Sequence, residues 1–263
     1  MVSTARDSNG SVSASAMPVF EDEAIVLRQY TLSDSDRILL LLTRDNGKVR
    51  AVAKGAKKPQ SPGSGNLEPL NHIHLEFFFR EGKDLSQIRR TELIHSYLGR
   101  NPSLSRMAAF HYFAEICNEL VPDNQGNSPF FRLFLASLNA GEKCGVRPAL
   151  IRYFEVWCLR LSGLLPNYAY CSDCGKCVKD VEFFAWLDAG QARCGACARG
   201  RGIKIGAAAS AALAAMGRLS PEQFVLLKDT EDAIRDIEPL TQKLLELHLE
   251  KKLKSYRILK EAL

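Results

Sequence analysis

The 263-residue sequence contains no apolar run long enough for a membrane helix, which needs roughly 18 consecutive residues. Its longest tight apolar cluster, Ile38 to Leu42, suits a buried strand. Nor does the N-terminal stretch read as a secretory leader. Residues 1–17 are mostly Ser, Ala, Asn and Gly, without the apolar stretch of about 7–15 residues that export requires. An organellar transit peptide would be longer and richer in Arg, and Asp7 argues against one. The segment 1–19 therefore reads as a disordered tail, with Met17 an alternative start. The compartment this implies is a reducing cytoplasm, where disulfides rarely persist. Patterns that mark common enzymes are also absent. The glycines around Lys54 do not make G-x4-G-K-[ST], the five histidines form no H-E-x-x-H, and no Ser/His/Asp set stands out.

Against these absences, hydrophobic residues at 46% and charged residues at 25% are ordinary globular values. A net charge of +5 and a pI of about 8.7 permit nucleic acid as a partner without demanding it.

From Glu23 to about His95 the pattern is strand-like. Ala24 to Leu27 and Arg37 to Thr43 are apolar runs, and Asp45-Asn46-Gly47 has hairpin-turn chemistry. Lys48 to Ala53 alternates, predicting a half-buried strand with its basic face outward and Val49 and Val52 serving the core. A Gly/Pro/Ser-rich loop over 55–65 follows, and Leu70 to Arg80 and Leu85 to Leu93 complete five strands. That count fits the five-stranded OB barrel, and an SH3-like barrel nearly as well.

After Gly99 the period becomes helical. Phe110, Phe113, Cys117 and Leu120 share one face, as do Leu150, Phe154, Trp157 and Leu161. Ser128-Pro129 opens a helix running to about Ala140, and Ser220-Pro221 opens another. Ile234, Ile237, Leu240, Leu244 and Leu247 mark a last helix, restarted or kinked at Pro239 and continuing to the end. The expected class is α+β. A disordered tail spans 1–19, an OB barrel 20–97, helical parts 98–167 and 205–263, and an inserted four-cysteine ribbon 168–204.

Of eight cysteines, Cys117, Cys144 and Cys158 lie among apolar residues and read as core. Cys171, Cys174, Cys194 and Cys197 form C-x2-C-x19-C-x2-C, the spacing of a four-cysteine zinc site. Two residues between thiolates allow a tight knuckle, and two knuckles close a tetrahedron with no position left for water. The expected zinc, one per chain, is therefore structural. Cys177 also makes C-x2-C with Cys174, so a set including Cys177 stays open, although Gly175 directly after Cys174 favours the first pair. His74-Leu75-Glu76 with Cys171 and Cys174 superficially matches a zinc deaminase signature. It fails because His74 lies in a strand-like run, Tyr170 replaces proline before Cys171, and a second cysteine pair already completes the metal.

Arg44, Lys48, Arg50, Lys54, Lys57 and Lys58 fall within 15 residues of each other, on a hairpin and the following loop, against the single acid Asp45. Such a face suits sequence-independent phosphate contact, and OB barrels commonly bind single strands this way. Aromatic stacking residues are few here; among Phe77, Phe78 and Phe79 at least one points outward. Lys251, Lys252, Lys254, Arg257 and Lys260 form a second basic run near a helix C-terminus, where cations also suit the dipole.

The chain resembles the RecO family over about residues 20–262. Four stretches carry the likeness: Glu23-Ala24-Ile25-Val26-Leu27 with Ser35-Asp36-Arg37-Ile38; Gly47-Lys48 through Lys54-Gly55-Ala56-Lys57-Lys58 to Asn66-Leu67-Glu68-Pro69-Leu70; the ribbon after Gly163-Leu164-Leu165-Pro166; and Leu247 to Ser255. Their order and spacing are specific together. The resemblance implies an OB fold, a helical domain, an inserted zinc ribbon and no catalytic activity. It also implies binding and annealing of single- and double-stranded DNA. The implied partners are RecR and the acidic tail of single-strand binding protein, for which Lys251, Lys252 and Lys254 are candidate contacts, with RecA loaded indirectly. The alternative class is a zinc-dependent nucleic-acid-modifying enzyme, which needs an open metal position. A third is a protein-binding adaptor without DNA contact.

Overall fold

The computed structural model describes residues 18–56, 64–79, 85–187 and 190–263. The expected tail, apart from its last two residues, and the loop cations Lys57 and Lys58 lie outside the described residues. Strands β1 (Phe20–Thr31), β2 (Arg37–Thr43), β3 (Lys48–Ala53), β4 (Asn71–Phe78) and β5 (Ser86–Ser96) close into a barrel in the order β1-β2-β3-β5-β4. The β3–β5 pair is parallel and the other four are antiparallel. This is an OB-like barrel.

Its apolar runs are continuous because two strands are buried on both faces. Ala24, Val26, Leu39 and Leu41 point into the barrel with Val49, Ala51, Ile73, Leu75 and Phe77. Ile25, Leu27, Leu40 and Leu42 point out of it and join the core of the helical body. Alternation along β3 corrects one expectation: Val49, Ala51 and Ala53 fill the barrel, while Val52 faces outward and is half-buried. Of the three consecutive phenylalanines, Phe77 is enclosed, Phe79 packs on its ring at 5.4 Å, and Phe78 faces outward, half-buried.

Helices α1 (Leu104–Leu120), α2 (Ser128–Cys144) and α3 (Pro148–Leu161) follow. The Ser103 side chain caps α1 by accepting the Arg106 N–H at 3.2 Å, while α2 and α3 have no side-chain cap and begin on prolines in their first turns. Phe113 stacks on Phe154 at 4.2 Å between α1 and α3. The ribbon comes next, with β6 (Phe183–Trp186), β7 (Gln191–Cys194), a single turn α4 (Gly195–Ala198) and β8 (Ile203–Ile205) in the sheet order β7-β6-β8. Then come α5 (Ala207–Met216), α6 (Pro221–Val225), α7 (Glu231–Leu249) and α8 (Lys254–Ala262).

The last helix departs from its expected course. Pro239 lies inside α7, and the break falls instead at Glu250, which takes a left-handed φ of 54°. A new helix starts because Glu115, buried on α1, accepts the N–H groups of Lys254 and Ser255 and the Ser255 hydroxyl. A carboxylate there satisfies N–H groups that α8 leaves unpaired and complements its dipole. Glu155, fully buried on α3, ties α1 and α7 together. It accepts from Tyr112 at 2.6 Å, Thr241 at 2.5 Å and Gln242 at 2.7 Å, with Arg152 at 3.0 Å. Among the described residues no helix is long and apolar enough to cross a membrane.

Candidate metal centre and basic surfaces

The ribbon brings the Sγ atoms of Cys171, Cys174, Cys194 and Cys197 within 4.8 Å of one another. In the first knuckle, the Gly175 N–H donates to the Cys171 carbonyl at 2.9 Å, with Gly175 at φ 72°. Glycine takes the left-handed turn there without the cost a side chain would add. The second knuckle is α4 itself, opened by Cys194 and closed by Arg199 at φ 49°. The Ser172 N–H donates to the Ala192 carbonyl at 2.8 Å, which clips one knuckle to the strand leading into the other. Cys177 is exposed and outside the sulfur cluster.

Backbone N–H groups, that of Cys194 first, hold Cys171 down to about 6. The neighbouring sulfurs of Cys194, Cys174 and Cys171 push Cys197 up to about 12. A metal ion takes all four as thiolates. The Cys174–Cys194 Sγ separation of 3.8 Å agrees with the edge of about 3.8 Å expected for a tetrahedron of metal–sulfur bonds of ~2.3 Å. The donor set therefore fits a closed, four-sulfur metal site. The scattered cysteines behave differently: burial pushes the thiols of Cys117 and Cys158 far above their usual range.

The barrel cations are less uniform than their spacing suggests. Lys48 is only 8% exposed. Its Nζ donates to the Asn118 carbonyl at 2.5 Å and lies 3.1 Å from Asp123 Oδ1. The expected open basic face is thus corrected at this position, because β3 runs beneath the loop between α1 and α2. The Lys48 N–H donates to the Pro122 carbonyl and the Asn124 N–H to the Lys48 carbonyl, at 3.4 and 2.8 Å. Gly47 is needed for that approach: at φ 70°, an added Cβ would meet the Gln125 carbonyl oxygen at 1.9 Å. Arg44 pairs with Glu23 at 2.9 Å and lies over the Phe131 ring. Arg50 is open to solvent, 3.9 Å from Asp123, and Lys54, four residues further on and just past the end of β3, is exposed. Of the six expected cations, Arg50 and Lys54 are therefore outward and available, Arg44 is partly engaged, Lys48 is a clamp, and Lys57 and Lys58 are not described. Asp123 and Asn118 escape sequence reading because they stand about 70 residues from Lys48, in a segment that looks only like a helix stop.

The C-terminal cations are also largely paired. Lys251 meets Glu119 at 2.6 Å, Lys252 lies 3.8 Å from Glu246, and Lys260 meets Glu238 at 2.8 Å. Together with Lys254 and Arg257 they line a groove of about 660 Å³, shared with Glu246 and the apolar Leu245, Leu253 and Ile258.

Comparison with known proteins decides the lineage. The description "Recombination protein O C terminal" matches residues 101–257, and "Recombination protein O N terminal" matches residues 17–97. The chain belongs to the RecO family. A protein of Koribacter versatilis named "DNA repair protein RecO" is 33% identical over 89% of this chain and 95% of its own length. Proteins of the same name from Anaeromyxobacter dehalogenans and Desulforamulus reducens are 36% and 28% identical, over 72% and 91% of this chain and 75% and 93% of theirs. RecO proteins carry a name from DNA repair and recombination rather than from a catalysed reaction. The barrel, the helical body and the cysteine ribbon accordingly belong to a DNA repair protein of the RecO family.

Proposed function

We propose that this chain is a recombination mediator. It binds single- and double-stranded DNA, anneals complementary strands and, with RecR, helps place RecA on DNA coated by single-strand binding protein. Its setting is the bacterial cytoplasm, at the nucleoid. The barrel over 20–97 supplies the DNA surface, the helical parts 98–167 and 205–263 supply partner contacts, and the ribbon over 168–204 holds one structural zinc. The observation that carries the reading is the outward pair Arg50 and Lys54 on an OB-like barrel of a DNA repair family. Lys57 and Lys58 follow within four residues, and Arg44 flanks the same hairpin.

The test is a salt titration of single-stranded DNA binding. Arg50→Ala, Lys54→Ala and Lys57→Ala should each lower the magnitude of the log–log salt slope by about 0.7 and weaken all sequences alike. A triple variant with unchanged affinity and slope removes the barrel as the DNA surface. Adding RecR to the same titration reads the partner: its presence should change DNA affinity.

The groove beside Lys251, Lys252 and Lys254 supports docking of the acidic tail of single-strand binding protein. Its lining combines apolar side chains with five cations against the single carboxylate of Glu246. Reversing the three lysines to Glu should abolish tail-peptide binding, and unchanged affinity rejects the site. The rival reading, a zinc-dependent nucleic-acid-modifying enzyme, requires an open coordination position, and the fourth cysteine takes that place.

A further inference from the structure

The ribbon presents a second group of cations, distinct from those of the barrel. Arg193, Arg199 and Arg201 line one open concavity of about 510 Å³ with Trp186 and the Cys197 knuckle. Its one lining carboxylate is Asp173, 3.3 Å from Arg193. Outside the metal centre, three arginines thus stand against one carboxylate in its lining.

The metal knuckle builds this arrangement. Arg199 is the left-handed residue that closes α4, two positions after Cys197. The Arg201 N–H donates to the Ala198 carbonyl at 2.9 Å. Arg193 immediately precedes Cys194 on β7, and its guanidinium lies 4.0 Å over the Trp186 ring. That stacking holds one fork in place, so less freedom is lost when it meets an anion. Arg199 and Arg201 are exposed, and among the described residues neither forms an ion pair. An open, polar, cationic wall suits a solvated polyanion running across it better than a small ligand enclosed by apolar groups.

We propose that this concavity is a second nucleic-acid site, which grips the phosphodiester backbone of a strand through Arg193, Arg199 and Arg201. The proposal rests on the reading of the chain as a DNA-binding protein, but not on the barrel being the primary surface. Guanidinium forks match phosphate oxygens in pairs, and several aligned phosphates supply salt-sensitive affinity without sequence preference. Placement gives the site its use. The ribbon packs against α7 through β8, whereas the barrel packs against α1 and α2. Two basic surfaces carried on different parts of the helical body let one molecule hold two strands at once, which is what pairing of complementary strands requires.

The experiment uses the full-length zinc-loaded chain and labelled oligothymidylate, with Arg199→Ala/Arg201→Ala compared against Arg50→Ala/Lys54→Ala. The ribbon pair should lower the magnitude of the salt slope by about 1.4, from two lost counterions. It should also abolish simultaneous capture of two differently labelled, non-complementary strands, read by energy transfer. Metal content is measured on each variant. If the alanine pair loses zinc, Arg199→Lys/Arg201→Lys decides, and it must retain both the metal and most of the slope. Unchanged slope and unchanged two-strand capture in a variant that keeps its metal overturn the proposal. Release of the oligonucleotide by millimolar inorganic phosphate at constant ionic strength would mark a free-phosphate site and overturn it as well. Loss of binding in the ribbon variant with none in the barrel variant would reject the barrel surface and leave the ribbon site standing.

Discussion

The barrel and the ribbon are both small β structures with basic residues on their surfaces, yet they are stabilised in opposite ways. Strands β1 and β2 bury side chains on two faces, one set inside the barrel and one against the helices. The ribbon has three strands of three or four residues, and its buried strand positions include two alanines, Ala185 and Ala192, beside Phe183 and Ile205. So short a sheet is marginal by itself. Burial can hold the barrel without a ligand; the ribbon adds only a few side chains, Val178, Phe183 and Ile205 among them, to the core of the helical body, and its four clustered thiols offer a metal cross-link between the two knuckles.

The largest test of this contrast is Cys194→Ser. It should lose the metal, and with it binding free energy on the order of 10 kcal/mol that the ribbon uses to stay ordered. Metal analysis together with hydrogen exchange should show the ribbon amides unprotected and the barrel amides unchanged. Loss of protection in both regions would refute the separation.

Next in size are Leu41→Ala and Leu42→Ala, two neighbours that enter different cores. Each should cost about 2–5 kcal/mol in denaturant unfolding. A cheap Leu42→Ala would mean that the barrel's outer face contributes little, and that the two-sided account is wrong.

Lys48→Ala sharpens the comparison at a single charge. The clamp to Asn118 and Asp123 should cost about 1.5–3 kcal/mol of stability, as charged hydrogen bonds do, while the DNA salt slope stays near that of the intact chain. Arg50→Ala should do the reverse. A Lys48→Ala variant with intact stability and a reduced slope would return Lys48 to the DNA surface.

The smallest effect belongs to Cys177→Ser. Its thiol is exposed and outside the cluster, so metal content and thermal midpoint should both stay as they are. Loss of metal would transfer the ligand role to Cys177.

Much of this was legible locally. Ser128-Pro129 and Ser220-Pro221 announce helix starts because proline's fixed φ and the Ser220 cap both act within one turn. The cysteine spacing predicts the sulfur cluster because a knuckle is likewise short-range. Less legible was the break after α7. Pro239 is the obvious breaker, but the chain turns at Glu250, where capping of α8 by Glu115 reaches across about 140 residues.

By itself the sequence determined the five barrel strands, the helical faces and the four-sulfur ribbon, since periodicity and spacing are properties of neighbouring residues. Only the tertiary structure decided which cations are free. Lys48 and Arg50 are two residues apart on one strand face, and nothing in their spacing tells them apart. One lies under the loop after α1 and spends its charge on Asp123, while the other stands at the edge of that loop in solvent. The availability of a charge depends on its partners, and these partners are brought in from about 70 residues away by the fold.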